Sequence, residues 1–171
     1  SWHKSNFEDT HSSKCFKTTY KSNNIGARDN IDYNEDLRND SIVLLGDSLA
    51  EGFGVDYDKI IPQLLEKKIN RKVLNFGSAG HFGPLQTKIL YESLASNYPH
   101  NEIIFFFSPL TDFTDNNWEY WKIKVRKFRN RPYFIKGTKP DEFDVIYPYS
   151  NDNYSTIRIK ELIFHSIQPF L

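Results

Sequence analysis

The stretch Ile42-Val43-Leu44-Leu45-Gly46-Asp47-Ser48 decides the fold that this sequence predicts. Four consecutive apolar residues that end at a glycine are typical of a short strand covered on both faces, as in a parallel sheet. Two further runs have the same form: Val73 to Phe76, which ends at Gly77, and Ile103 to Phe107, which ends before Pro109. The chain therefore contains three candidate strands of one buried sheet.

Amphipathic helices are predicted between these strands. One apolar stripe opens at Asp56 and continues at helical spacing, through Ile60, Ile61, Leu64, Leu65 and Ile69. Pro84 suits the first turn of a second helix, whose inward residues are Leu85, Ile89, Leu90 and Leu94. Alternating strands and helices with short links predict an α/β fold with right-handed crossovers.

The segments on either side of this core are less regular. Residues 1–40 are polar and predict an N-terminal arm of loops and short strands, whereas residues 41–171 form the α/β domain. The acidic stretch from Asp29 to Asp40 lacks the central glycine and the final glutamate of an EF-hand, so it predicts a solvated turn. Residues 133–135 and 143–147 predict a β-hairpin, and Ser155 opens a last predicted helix.

Composition excludes several classes of function. The 171 residues carry 22 basic and 22 acidic side chains, and this balance argues against general nucleic-acid binding. For the same reason, the aromatic and basic run from Trp118 to Arg131 is interpreted as a solvated amphipathic face. Cys15 is the only cysteine, which excludes an internal disulfide and a cysteine-rich zinc site. No phosphate loop or dinucleotide fingerprint occurs, so we expect no cofactor and no metal.

Polar residues follow each predicted strand at the point where it ends. Asp47 and Ser48 come after the first strand, residues 77–80 form a glycine-rich loop after the second, and residues 108–115 follow the third. The carboxyl ends of parallel strands lie at one edge of a sheet, and ligands bind there. A serine flanked by such loops suits a nucleophile with donors for a developing oxyanion.

Three of these segments resemble the sequence blocks of the SGNH, or GDSL, hydrolases. Leu44 to Leu49 resembles the first block, Asn75 to Gly80 the second, and Phe105 to Asp112 the third. The segment Ser22 to Asp29 is similar to one that precedes the first block in some bacterial members. The resemblance covers about residues 20–120 and implies a flavodoxin-like three-layer sheet of parallel strands.

The resemblance also implies roles for single residues. Ser48 would be the acyl-accepting nucleophile, and the backbone N–H groups of Ser48 and Gly77 would donate to the oxyanion. Thr111 stands where the family has an asparagine donor, and its hydroxyl has a shorter reach. Asp47 and Asp112 would support the two loops. A serine here could also be a helix N-cap, but three blocks in order favour the catalytic role.

The general base is not identified by the resemblance. The family uses a histidine in a late Asp-x-x-His block, and this sequence has no such pair. His81 is the one histidine in a strand-end loop, which makes it the candidate substitute base. The family has two more parallel strands after the third one, whereas this sequence continues with the predicted hairpin. We therefore expect the sequence to stop short of the catalytic histidine.

Two functions from different classes follow from these observations. The first is a serine ester hydrolase or O-acetyl transferase that acts through an acyl-enzyme on a small-molecule or carbohydrate ester. The second is a catalytically inactive SGNH-like subunit that binds a protein partner, which Thr111 and the missing Asp-x-x-His favour. By resemblance, the protein is expected to be exported or tethered to a membrane by a segment that precedes Ser1.

Overall fold

The computed structural model describes residues 2–80, 82–125, 131–136, 143–148 and 154–157. The chain forms two compact units, Ser1–Asp115 and Asn116–Leu171. Residues 1–40, the predicted arm, lie in the first unit together with the three predicted strands. The boundary between the units follows Asp115, the last residue of the polar loop after the third predicted strand.

The first unit is built on a parallel sheet of three strands, β3 (Ile42–Gly46), β4 (Val73–Gly77) and β5 (Glu102–Phe106). The spatial order is β4-β3-β5, and Gly46 is opposite Gly77 on one side and Phe106 on the other. All three predicted strands are therefore confirmed, as is the α/β class.

The described residues of this unit form four α-helices: α1 (Ser48–Glu51), α2 (Ile61–Ile69), α3 (Pro84–Ser93) and α4 (Asp112–Asp115). Both predicted helices are present as α2 and α3. The first begins later than its apolar stripe, because Tyr57–Lys59 forms a separate 3-10 turn. Pro62 then occupies the first turn of α2, where a missing N–H costs nothing. A second 3-10 turn, Ala95–Asn97, follows α3.

Side chains of the sheet alternate between two apolar layers, as the period of a strand requires. One layer contains α3 and part of the N-terminal arm, with buried side chains of Ala27, Tyr33, Val43, Leu45, Leu74, Phe76, Leu90 and Ala95. The other contains α1 and α2, with Ile42, Leu44, Ala50 and Val73 buried and Ile61 and Leu65 packed against them. Helices therefore cover both faces of the sheet.

The N-terminal arm contains a hairpin of β1 (Glu8–Ser13) and β2 (Phe16–Lys21), paired antiparallel. The predicted short strands are thus confirmed. The prediction of a solvated turn from Asp29 to Asp40 is wrong for two of its residues, since Asp29 and Tyr33 are each 1% exposed.

A hydrogen-bonded cluster around Asp29 explains this burial. The Asp29 carboxylate accepts hydrogen bonds from the hydroxyls of Tyr33 at 2.8 Å and Tyr57 at 2.6 Å. It also accepts one from Lys72 Nζ at 2.8 Å. The Tyr33 hydroxyl in turn accepts the backbone N–H of Asn75 in β4 at 2.8 Å. These bonds fix the arm to the central sheet.

The third strand of the sheet is less covered than its sequence predicts. In β5, Ile103 is 47% exposed and Phe105 is 43% exposed, so the expectation of a strand buried on both faces is wrong. Among the described strands, β5 pairs only with β3 and is the edge of its sheet. An edge strand buries less of its surface because nothing pairs with its outer side.

The second unit contains α5 (Trp118–Tyr120), a π-helical turn at Trp121–Val125, and a separate antiparallel sheet. That sheet consists of β6 (Tyr133–Lys136), β7 (Phe143–Pro148) and β8 (Tyr154–Ile157), in this order. The predicted hairpin is confirmed as β6 and β7. The prediction that Ser155 opens a helix is wrong, because residues 154–157 pair with β7; residues 158–171 lie outside the described ranges.

The aromatic and basic run of this unit supplies its core as well as its surface. Trp118, Trp121, Tyr133 and Ile146 are buried together. The Arg131 guanidinium lies 4.7 Å from the ring centre of Trp121 and 5.0 Å from that of Tyr133. Residues 126–130, which carry several of the basic side chains, lie outside the described ranges. The aromatic residues of the run are therefore partly structural.

Candidate active site

Ser48 lies directly after β3, as the first residue of α1. The N-cap of this helix is Asp47, whose Oδ1 accepts the Leu49 N–H at 2.9 Å. Ser48 therefore does not fill the capping position that its residue type would suit. Its side chain is half-buried, and none of the hydrogen bonds between described residues involves its hydroxyl.

The strand order places this turn at a topological switch point. Strand β4 pairs with one edge of β3, and the chain then crosses back so that β5 pairs with the opposite edge of β3. In open α/β sheets, ligands bind in the crevice between the carboxyl ends of the two strands at such a point. The Ser48 turn and the loop after β5 therefore flank the crevice.

The loop after β5 is closed by Asp112. The Oδ2 atom of Asp112 accepts the Ser108 N–H at 2.8 Å, and its buried Oδ1 has no hydrogen-bond partner among the described residues. Burial raises the pKa of Asp112, and the negative charges of Asp47 and Asp115 raise it further, against the Ser108 hydrogen bond. The charge of Asp47 acts on Asp112 because the two loops lie close together.

Thr111 is half-buried in the same loop. Its hydroxyl donates to Ser108 Oγ at 3.3 Å, and its N–H donates to the Ser108 carbonyl at 3.2 Å. The hydroxyl is thus engaged within its own loop. To donate to an oxyanion, it would have to rotate away from Ser108.

Gly77 ends β4 and is buried against the helix that carries Ser48. A Cβ atom on this residue would lie 2.2 Å from the Glu51 backbone nitrogen and 2.7 Å from the Ala50 carbonyl carbon. The glycine is therefore needed for the close packing of α1 on β4. Its N–H donates to Asn75 Oδ1 at 3.1 Å, so the predicted role as an oxyanion donor stays a prediction that requires this bond to open.

Glu51 is a buried carboxylate that the sequence analysis missed. It is the last residue of α1 and has 0% exposure. Its Oε2 atom accepts the Ala79 N–H at 2.6 Å, and its Oε1 atom accepts the Tyr20 hydroxyl. His3 Nε2 lies 2.7 Å from the same Oε1, without the alignment of a hydrogen bond. The available signal was a single acidic residue three positions after Ser48, and this position alone does not indicate burial.

The histidines do not provide an identified base within the described ranges. His81, the candidate substitute base, lies outside those ranges, as does His165. His11 packs against the Phe53 ring at 4.4 Å, and His100 Nε2 lies 3.2 Å from the Tyr91 hydroxyl. In the part of the chain that the structure describes, no histidine is hydrogen-bonded to Ser48.

The described residues also lack two other kinds of site. No three His, Cys, Asp or Glu side chains among them lie close enough together to hold a metal ion. In the same ranges, no helix combines the length and the apolar character that crossing a membrane requires.

Comparisons of the chain with protein-family models, with curated proteins and with solved structures found no match. The fold defines a mixed α/β protein with a three-stranded parallel sheet. The resemblance to the SGNH hydrolases therefore stays a prediction from the three sequence blocks.

Proposed function

We propose that this protein is an SGNH-type serine ester hydrolase or O-acyl transferase with Ser48 as its nucleophile. The observation that carries the proposal is the position of Ser48. It follows the central strand at the switch point, its hydroxyl is half-buried, and its turn is held by the Asp47 cap. The flavodoxin-like SGNH sheet is part of the same proposal, because the order of the three strands suits it.

The reaction would proceed through an acyl-enzyme. Ser48 Oγ attacks the carbonyl carbon of an ester and its proton passes to a general base, which forms a tetrahedral oxyanion. The C–O bond to the alcohol then breaks, and the alcohol leaves with that proton. Water or a carbohydrate hydroxyl then gives its proton to the base and attacks the acyl carbon, and the bond from that carbon to Ser48 Oγ breaks. Ser48 Oγ takes up the proton, and the acyl group leaves as a carboxylic acid or a new ester. The base would be a histidine that the described ranges do not include, and His81 is the candidate that this sequence offers.

The donors for the oxyanion support this chemistry unequally. The Ser48 N–H lies at the first position of a helix, where no carbonyl within the helix can accept it. The Gly77 N–H and the Thr111 hydroxyl are each bonded within the protein. Loss of one such donor costs about 10²–10³ in rate. We therefore expect a slow enzyme unless these two bonds open on substrate binding.

The same two hydrogen bonds favour a second candidate function, an SGNH-like subunit without catalysis. In that case, the residues of the site would serve only to hold the turn and the loops together. A protein partner rather than an ester would then occupy the surface. The two functions differ in the reactivity of Ser48.

A serine-reactive fluorophosphonate probe distinguishes them. We expect the full chain to be labelled and to hydrolyse p-nitrophenyl acetate, and Ser48→Ala to lose both properties with its free energy of unfolding changed by less than about 0.5 kcal/mol. Ser96→Ala, which changes an exposed serine, is the matched control and should be labelled normally. Absence of labelling in the wild-type chain, or labelling that survives Ser48→Ala, would refute the hydrolase and favour the subunit.

A further inference from the structure

We propose that Glu51 is a positioning residue, which fixes the loop after β4 against the helix that carries Ser48 and so sets the rate of acylation. This inference rests on the proposed function. The Glu51 carboxylate lies at the end of α1, and it has none of the roles that the three sequence blocks imply.

The first support is the direct link that Glu51 makes between two elements of the site. Its Oε2 accepts the Ala79 N–H at 2.6 Å, and Ala79 lies in the glycine-rich loop after β4. A second link runs through the backbone, where Asn75 Nδ2 donates to the Glu51 carbonyl at 3.4 Å. The side chain of Glu51 therefore joins the nucleophile helix to the loop, and its main chain joins the same helix to strand β4.

The second support is that both carboxylate oxygens are engaged. The Oε1 atom accepts a hydrogen bond from the Tyr20 hydroxyl and lies 2.7 Å from His3 Nε2. Both residues belong to the N-terminal arm, which therefore contacts this oxygen of the carboxylate. Arg28, which is 1% exposed, donates to the carbonyls of Gly52 and Val55 directly after this helix. Burial lowers the pKa of Arg28, and the nearby Tyr20 and Glu51 oppose that shift.

The third support is the size of α1. A helix of four residues has no stability of its own, since nucleation alone outweighs its few hydrogen bonds. Its direction must be set by tertiary contacts, and Glu51 supplies the polar ones to the glycine-rich loop. A misplacement of about 1 Å at a reacting group can cost about 10²-fold in rate. The contacts that set the direction of α1 therefore also set the position of the Ser48 hydroxyl.

The test compares substitutions of Glu51 with a matched substitution of another buried carboxylate. Glu51→Gln keeps an oxygen that can accept the Ala79 N–H, whereas Glu51→Ala removes the side-chain link. Asp29→Asn is the control, because Asp29 is equally buried but is bonded to Tyr33, Tyr57 and Lys72 instead of the loop. Each full-length variant is labelled with the fluorophosphonate probe below its melting temperature, and the rate constant is measured.

We expect Glu51→Ala to slow labelling of Ser48 by about tenfold to a hundredfold, and Glu51→Gln to be intermediate. In ester hydrolysis, kcat should fall more than KM rises, because the ground-state contacts of the substrate are untouched. Asp29→Asn should lower the melting temperature and still be labelled within about twofold of the wild-type rate.

Hydrogen exchange at the Ala79 amide provides a second measurement that does not depend on catalysis. Glu51→Ala should accelerate this exchange selectively, and Asp29→Asn should not. Equal labelling rates for Glu51→Ala and the wild type would overturn the inference, as would an Asp29→Asn variant slowed just as much. If the wild type were not labelled at all, the proposed function would fail, and with it the catalytic part of the inference. Exchange at Ala79 would then report separately whether Glu51 orders the loop.

Discussion

Replacement of Gly77 by alanine tests the packing of the nucleophile helix on the central sheet. The added Cβ would lie 2.2 Å from the Glu51 nitrogen and 2.7 Å from the Ala50 carbonyl carbon, whereas ordinary contacts begin at 3.4 Å. Both neighbours are backbone atoms, which cannot rotate aside as a side chain can. The whole of α1 must therefore move by roughly 1 Å, a change of the kind that costs about 3 kcal/mol in a packed core.

Urea unfolding of the Gly77→Ala variant measures this cost. A loss of about 3 kcal/mol is a large part of a typical stability of about 5–15 kcal/mol. With an m-value of about 1–3 kcal/mol/M, the unfolding midpoint should fall by about 1 M or more. Labelling of Ser48 should fall as well, since Ser48 moves with α1. Gly80→Ala is the control, because Gly80 is exposed and has a φ of +97°. Its cost should be only the strain of a positive φ, about 1–2 kcal/mol.

Two results would refute this reasoning. An unfolding midpoint for Gly77→Ala within about 0.3 M of the wild type would mean that α1 is not packed against β4 as described. A midpoint no lower than that of Gly80→Ala would mean that the contact of a Cβ at position 77 with α1 costs no more than the strain of a positive φ, which contradicts the close packing described.

Two further substitutions test buried polar groups. Tyr33→Phe leaves the buried Asn75 N–H without its acceptor, so the free energy of unfolding measured in urea should fall by about 1–3 kcal/mol. Tyr98→Phe is the aromatic control and should lower it by less than about 0.5 kcal/mol. Equal losses in the two variants would contradict the hydrogen bond from Asn75 to Tyr33. The raised pKa of Asp112 means that its ionised form is disfavoured in the folded state, so its contribution to stability is present below the ordinary value of 3.8 and is lost as pH rises through the raised value. Asp112→Asn, whose amide oxygen can still accept the Ser108 N–H, should therefore lose less stability than the wild type as the pH rises above 3.8, and an identical loss in both would rule out this titration.

Some of the fold could be predicted because it depends on neighbours in the sequence. The run from Ile42 to Leu45, closed by a glycine, predicts its strand from local hydrophobicity alone. The same holds for β4 and for the helix that begins at Pro84. Even the position of the turn at Asp47 and Ser48 beside the loop at Asp112 follows from the rule that the carboxyl ends of parallel strands share one edge.

Other features could not be predicted because they depend on residues far apart in the chain. The burial of Asp29 is set by Tyr57 and Lys72, and nothing near Asp29 in the sequence signals these partners. The helix start predicted at Ser155 is wrong for a similar reason, since residues 154–157 pair with β7, a partner that the local sequence does not signal.

The sequence by itself determined that this protein is an α/β fold with a serine, a glycine-rich loop and a polar loop at the ends of three parallel strands. This much follows from short-range periodicity and from the geometry common to parallel sheets. Only the tertiary structure decided how the site is held: Gly77 packs on α1, and Glu51 joins the helix to the loop at Ala79. Such contacts form between segments whose separation in sequence carries no information about their distance in space, so only the folded chain specifies them.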